Sequence, residues 1–481
     1  MRTTPRAGLA ASLVLASIAF APLTNAQLFD ADRQHLNKAD ADSSVVAAAF
    51  ARDAGSAAAA LPGTVSNQPC VNGVAGVFAC DGIDMLSFIP LASFASSDGD
   101  VEASDIWGWT DPVTADEIVL LGTTAGTAVF RVTDPADPEY LGRIENPSDG
   151  RRIWQDIKVD GNFAYIASES YYHGMLVFDL TSLRQLEATS DTTLQLAATA
   201  QHDPYLDSHN LVINTDQQMA YLVGSQTQDT FELFGDVVGI DDPTGLSPET
   251  ETRYRADDCA EGLHAIDISD PTNPVFAGCW AGDEYVHDAQ CTRYTGGDVD
   301  HQGKDICLGA NEDTVSIVDM SDPANPQLLS RTTYDGAGYV HQGWLTEDQS
   351  TFLLGDEGDE GDGEPTRTMI FDVTDLDDIQ LINRFEHDTV VIDHNLYTLD
   401  GLAYMSNYEA GLRIQDLDDV ANGVLTEVAW FDTYPESDNA AFNGTWSNFP
   451  FFKSGTVAVS GIGEGLFLLR VQDDVLATYA D

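Results

Sequence analysis

The sequence predicts an all-β fold, a seven-bladed β-propeller whose ring is closed by an N-terminal strand completing the last blade. Three observations lead there. A unit of about fifty residues recurs along the chain, and each copy holds three or four apolar runs of strand length. The last copy lacks its final strand, while a spare strand precedes the first.

The most regular part of the unit opens on Gly or Thr, runs through apolar residues and closes on Asp with an Asp/Pro-rich turn. It appears as GTAVFRVTDPADP from Gly126, GMLVFDLTS from Gly174, GLHAIDISDPTNP from Gly262 and TVSIVDMSDPANP from Thr314. Further copies are TMIFDVTD from Thr368, GLRIQDLDD from Gly411 and GLFLLRVQDD from Gly465. Runs this short, rich in Val, Ile, Leu and Phe and stopped by Asp-Pro, are strands rather than helices. A second strand comes before, as in FAYIAS from Phe163, MAYLVGS from Met219, TFLLGD from Thr351, LAYMSN from Leu402 and TVAVSG from Thr456.

Ahead of that lies an innermost strand. Its opening triplets align as Trp154-Gln155-Asp156, Ser208-His209-Asn210, Val286-His287-Asp288, Val340-His341-Gln342, Asp393-His394-Asn395 and Asn443-Gly444-Thr445. From Gln155 onward the central members lie 54, 78, 54, 53 and 50 residues apart. The long interval contains residues 226–258, polar and punctuated by Pro and Gly, which read as an inserted loop. A degenerate first copy starts near Trp107-Gly108-Trp109. Six units carry a fourth strand, for example EYLGRIE from Glu139 and QLLSRT from Gln327. The seventh stops at Val471, and IDMLSFIPL from Ile83 supplies its missing strand, which removes the free sheet edges.

Residues 1–26 read as an export signal. Arg2 and Arg6 precede an uncharged apolar run from Gly8 to Ala21, and Thr24-Asn25-Ala26 precedes a cut before Gln27. Residues 27–68 form an Ala- and Asp-rich leader expected to be poorly ordered, 69–472 the propeller, and 473–481 a short acidic tail. No later window approaches the ~18 apolar residues of a membrane-spanning helix. Six cysteines fit an oxidising compartment. Strand placement favours the sequential pairs Cys70–Cys80, Cys259–Cys279 and Cys291–Cys307, and the absence of any C-x-x-C argues against a zinc site.

Lys and Arg total 21 against 79 Asp and Glu, a formal net charge of −58. Lys38, Lys158, Lys304 and Lys453 are the lysines. Such a surface repels phosphate backbones and anionic lipid, which argues against nucleic-acid and peripheral-membrane partners. With 43% hydrophobic residues the chain is too apolar to be an acidic disordered segment.

Between Tyr285 and Trp344 the chain reads YVHDAQCTRY, DICLGANEDTVSIVDMSDP and YVHQGW. Later come IDHNLY, NYEAGLRIQDL, FDTYP and FNGTWSNFPFF, and PCVNGVAGVFACDGIDML precedes the ring. Together these resemble the choice-of-anchor B family of exported bacterial proteins, whose repeats are of the LVIVD type. The similarity covers about Pro69 to Val471. It implies a secreted or surface-displayed propeller, with no enzymatic activity established for the family. Family members carry varied C-terminal sorting signals, whereas here only QDDVLATYAD follows Val471. A freely released, monomeric extracytoplasmic protein is therefore expected.

The polar column is the candidate site. His209, His287, His341 and His394 sit on consecutive blades at one mouth of the channel, where imidazoles could converge on a transition metal. Gln155, Asp156, Asn210, Asp288, Gln342, Asp393 and Asn395 flank them as candidate ligand-binding residues. A simpler role is that each His bonds a neighbouring blade's backbone and staples the repeat. The loop DEGDEGDGE from Asp356 holds Asp356, Glu357, Asp359 and Asp362, a candidate weak calcium loop or a solvated acidic turn. Asp98, Asp100 and Glu102 alternate in another acidic loop, but Ala103 and Trp109 stand where an EF-hand requires Gly and Glu.

No G-x-S-x-G, H-E-x-x-H or Walker loop occurs. Trp107, Trp109, Trp154, Trp344 and Trp446 fall at or near innermost strands, where they could floor a binding mouth or pack between blades. The resulting expectation is a non-catalytic module binding an extracellular protein, glycan or peptide, the alternative being a His-ring metalloenzyme. The charge surplus sets one test. Like charges repel over distances that salt screens, so melting temperature should climb as NaCl rises from about 10 mM to about 1 M. A melting point indifferent to salt would show that the carboxylates do not strain the fold.

Overall fold

The computed structural model describes residues 63–477, apart from 96–100, 148–151, 171, 205, 228–258, 260 and 361–362. The expected export signal 1–26, nearly all of the expected leader 27–68, most of the inserted loop 226–258 and residues 478–481 lie outside the described residues.

Seven antiparallel sheets follow one another along the chain, each built on four strands. Their innermost strands are Ala103–Thr110, Gln155–Asp160, Asn210–Asn214, Asp288–Arg293, Val340–Leu345, Leu396–Leu399 and Thr445–Phe449, which number blades one to seven. The expected seven-bladed propeller is the observed fold. Hydrophobic clusters lie between neighbouring blades; Ile306, Leu308 and Ile317 of blade four pack with Leu354, Met369 and Phe371 of blade five. Both faces of a blade are thus covered. The Glu117–Thr123 strand is buried along its whole length, which is why such strands read as continuous apolar runs.

The Asp that ends the regular run in blades two to six has a local task. Its side chain accepts the backbone N–H two residues on: Asp179 from Thr181, Asp267 from Ser269, Asp319 from Ser321 and Asp372 from Thr374, at 2.9–3.0 Å. The next Asp repeats the device, Asp134 with Ala136, Asp270 with Thr272 and Asp322 with Ala324. These Asx turns satisfy amides at the end of the strand and turn the chain toward the fourth strand. In six blades a register shift then interrupts the ladder between third and fourth strands, which adds twist to the outer edge.

Closure follows the expected route. Ile83–Pro90 pairs antiparallel with Gly465–Val471, Phe467 opposite Phe88 and Leu466 opposite Ile89. The Phe467 ring lies 4.6 Å from Phe88 and 5.3 Å from Phe78, centroid to centroid, and both contacts join the two ends of the ring. Blade seven meets blade one where Phe449 lies on Gly108. A Cβ added there would sit 2.2 Å from the Phe449 ring, so glycine is required at that position. Ser454 completes the seam, its N–H and hydroxyl donating to the Glu117 carboxylate at 3.0 and 2.6 Å.

Three segments differ from expectation. Val65–Gln68, placed in the leader, is a strand on the outer edge of Ile83–Pro90, with Val65 opposite Phe88. An edge offers unpaired backbone groups, and the chain beside it takes them up. Phe78–Asp81 likewise extends blade six through Cys80 opposite Phe431, so the segment before the closing strand spans blades six and seven. In the tail, Asp473–Leu476 form one helical turn. The first two residues of the inserted loop, Gln226–Thr227, pair with Leu206–Asp207.

The Cys70–Cys80 disulfide pins the bridging segment, and Cys291–Cys307 links directly opposed residues of two blade-four strands. In the third expected pair, Cys279 faces His264 across the ladder, and Cys259 Sγ lies 3.2 Å from His264 Nδ1.

Phe467 is fully buried where both ends of the chain meet. Phe467→Ala should lower unfolding free energy by about 3–5 kcal/mol, read as a lower denaturant midpoint. A loss below about 1 kcal/mol would show that this aromatic cluster does not hold the seam.

Candidate functional site

The opening of each innermost strand places one residue of the polar column at the channel. Four of these are imidazoles and they come together as a stacked row: His209 to His287, His287 to His341 and His341 to His394 each lie 4.3 Å apart between centroids. Their Nδ1 atoms are mostly engaged. His287 Nδ1–H donates to the carbonyl of His341 at 2.9 Å, and His394 Nδ1–H donates to the carbonyl of Trp446, each on the next blade. His209 Nδ1 meets Glu169 Oε1 at 2.7 Å. His287 and His394 thus bond the backbone of the next blade, whereas His209 meets a side chain and His341 Nδ1 has no partner among the described residues. Nε2 is left as the nitrogen with a free lone pair for His287 and His394. Burial holds His287 and His341 well below the usual imidazole range, and His394 at about 4, so these three rings are neutral at pH 7.

The acidic loop does not project into water. Asp356 is fully buried and accepts bonds from Tyr334 Oη at 2.7 Å and from the N–H groups of Gly338 and Tyr339. Glu357 turns toward the imidazole row and takes a 2.5 Å hydrogen bond from Tyr408 Oη. Its carboxylate faces His341 Nε2 at 3.5 Å and His394 Nε2 at 3.7 Å. Burial pushes the Glu357 carboxyl up to about 8, the Tyr408 bond partly opposing it. Asp359 meets Arg367 at 3.4 Å, and buried Glu360 accepts the Asp393 N–H at 3.3 Å. Asp362 lies outside the described residues. The solvated-turn expectation fails for Asp356 and Glu360, because the loop folds over the mouth and its acids cap backbone and tyrosine donors there.

Several column residues are occupied in holding the ring. Gln155 donates to the carbonyl of Thr123, and Asn210 to that of His287. Gln342 bonds both the N–H and the carbonyl of Leu396, and Asn395 donates to Ser447. Asp156 accepts the N–H of Leu211 at 2.6 Å. Their side chains tie inner strands of adjacent blades, a role that alignment of a column cannot separate from ligand binding.

A second cluster surrounds a cavity of about 210 Å³; Trp107, Trp344, Asp156 and Asp288 are candidates from the sequence, whereas Lys158, Tyr397 and Asp105 are not. Trp107, Trp344 and Tyr397 wall it; Tyr397 meets Trp344 at 5.0 Å and Trp107 at 5.7 Å in edge-on contacts. Lys158 lies 4.7 Å over the Trp107 ring and pairs with Asp105 at 3.3 Å and with Asp156. Burial works against the lysine's charge, and these two carboxylates overcome it, holding the ammonium well above its usual range. Asp288 lines the same cavity, and burial pushes its carboxyl up to about 7. A signal was available: Lys158, Gln290, Trp344 and Tyr397 each stand three residues after a column member, and Lys158 is one of four lysines. In the sequence Glu357 stands out only as part of an acidic calcium loop, and nothing in its spacing joins it to the His column.

The LVIVD repeat model matches residues 152–172, 256–281 and 298–333, so the chain carries LVIVD repeats. No curated protein matches the sequence. Among solved structures it is similar to the WD40 β-propeller domain of Doa1, at 10% identity and TM-score 0.46, covering 79% of this chain and 97% of that one. The Myceliophteria thermophila Cps50 (Swd1) β-propeller domain gives 10% identity and TM-score 0.43, covering 78% and 98%. The computationally designed Ika8 protein gives 10% identity and TM-score 0.41, covering 77% and 83%.

Asp288 yields a pH test. Its carboxyl binds a proton in the folded chain up to about 7 but in the unfolded chain only to 3.8. Its stabilising contribution is therefore complete below 3.8 and is lost as pH rises through 7. Asp288→Asn removes that dependence. The difference in melting temperature between D288N and the parent protein should move in the variant's favour from about pH 4 to about pH 8. Parallel curves would mean that Asp288 is not the proton-binding group.

Proposed function

We propose that this is an exported, non-catalytic binding propeller, related to the choice-of-anchor B proteins, whose channel cavity takes the cationic group of a small ligand. The observation that carries the reading is the combination of three aromatic walls with a surplus of acid. Asp105 and Asp156 pair with one lysine, and Asp216 and Asp288 line the cavity, where a bound cation would help Asp288 to ionise. Aromatic faces attract a desolvated cation, and a nearby carboxylate adds to that attraction. The cavity's 210 Å³ is below the roughly 300–1,000 Å³ of sites for drug-sized molecules, so it suits a compact head group such as an alkylammonium. The strongly negative chain concentrates cations around it.

Export is supported by the two disulfides, which need an oxidising compartment to persist, and by the signal-like residues 1–26. Among the described residues no helix is long and apolar enough to cross a membrane.

Tryptophan fluorescence with added tetramethylammonium, n-butylammonium or methyl glucoside tests the proposal. The ammonium ions should quench saturably and be recovered unchanged, the glucoside should do nothing, and W344A should weaken binding roughly tenfold. Saturable binding of the glucoside alone would replace the cation by a sugar. Silence towards all three would reject the cavity as the binding site.

A further inference from the structure

We infer that His341, Glu357 and His394 form a binding site for a divalent first-row transition metal ion at the channel mouth. The donor atoms of the three residues all lie within 4.8 Å of one another. The two imidazole-to-carboxylate separations, 3.5 and 3.7 Å, are long for hydrogen bonds. They are close to the spacing of about 3.4 Å that two ligands, each about 2.1 Å from a metal, adopt at a tetrahedral angle. Small side-chain adjustments would bring all three onto one ion.

The surroundings match what such a site needs. A ligating histidine usually donates its other ring N–H to a carbonyl or carboxylate, which fixes the tautomer and directs the lone pair at the metal. His394 does this through the Trp446 carbonyl. Glu357 is held by Tyr408 Oη on Oε1, the outer support that ligating carboxylates require. His341, 2% exposed, turns its Nε2 toward Glu357, and its Nδ1 has no hydrogen-bond partner among the described residues, so on this ligand the metal bond itself would fix the ring. Two neutral imidazoles and one carboxyl that gives up its proton to the metal form a ligand set used for zinc and for non-haem iron(II), with coordination positions left for water or another molecule.

A second acidic and histidine cluster provides contrast. In Asp298, His301 and Asp377 the His301 Nε2 is already hydrogen-bonded to Asp377 at 3.0 Å, and Lys304 Nζ donates to His301 Nδ1 at 3.0 Å. That cluster has its cation, the lysine, and both ring nitrogens are spent. The mouth has neither feature, and it draws on blade five, blade six and the loop after Thr351–Asp356, so it forms only when those two blades pack together.

The test uses the full exported chain with its disulfides intact, stripped with dipicolinate and titrated with Co(II) and Zn(II). One equivalent should bind, Co(II) should show visible bands of a four- or five-coordinate site, and the melting temperature should rise with free metal. E357Q and H394N should each weaken Zn(II) binding at least 10-fold with unchanged far-UV circular dichroism, and H301A should leave it unaltered. Less than about 0.1 equivalent on the wild-type chain would overturn the inference. So would a site that survives E357Q and H394N together, or that is lost in H301A. The alkylammonium experiment has a separate readout, so the two ideas can fail independently.

Discussion

The inner strand of each blade is held in register by the blades on either side, and that mutual support depends on one pairing, Ile83–Pro90 against Gly465–Val471. It joins segments nearly four hundred residues apart, so it forms late in loop-closure terms and needs contacts that justify ordering the whole chain. The contacts are aromatic: Phe467, Phe88, Phe78 and Phe431 occupy one cluster. The disulfide Cys70–Cys80 then secures the strand that feeds it. With the ring shut, Gly108 and Phe449 seal blade one to blade seven, and the channel becomes a place with walls on every side.

Those walls explain the electrostatics. Two populations of carboxylate coexist in this acidic chain. One belongs to the interblade turns, where Asp side chains cap backbone amides and stay in water, which is how so much negative charge is tolerated. The other lines the channel, where Asp288 and Glu357 are pushed towards neutrality by burial and Lys158 is kept charged by Asp105 and Asp156. The same burial keeps His287, His341 and His394 unprotonated. A narrow channel thus presents neutral nitrogen donors at one level and an aromatic-walled acidic cavity at another. The first suits a metal and the second a cation.

Much of the fold was legible because a propeller writes one local pattern many times. The Gly–apolar–Asp runs, the spare strand at Ile83 and the aligned His column all appear in the structure where they were expected. Less legible were features that depend on an edge or on a loop. Val65–Gln68 has an undistinguished sequence and becomes a strand because Ile83–Pro90 offers it a partner. The Asp356 loop looks like a solvated acidic turn until Tyr334, Tyr408 and the backbone of Gly338 and Tyr339 are brought to it.

What the sequence determined by itself is therefore the ring: strand period, turn chemistry and copy number act over a few residues and repeat, so they can be read along the chain. It also determined that four imidazoles would share one mouth. What only the tertiary structure decided is how close they come and what joins them. Glu357 reaches His341 and His394 from an outer loop, and Lys158 reaches Asp105 from the next blade. Separations of this kind are set by the curvature of a closed ring and the packing between blades, which no local pattern encodes.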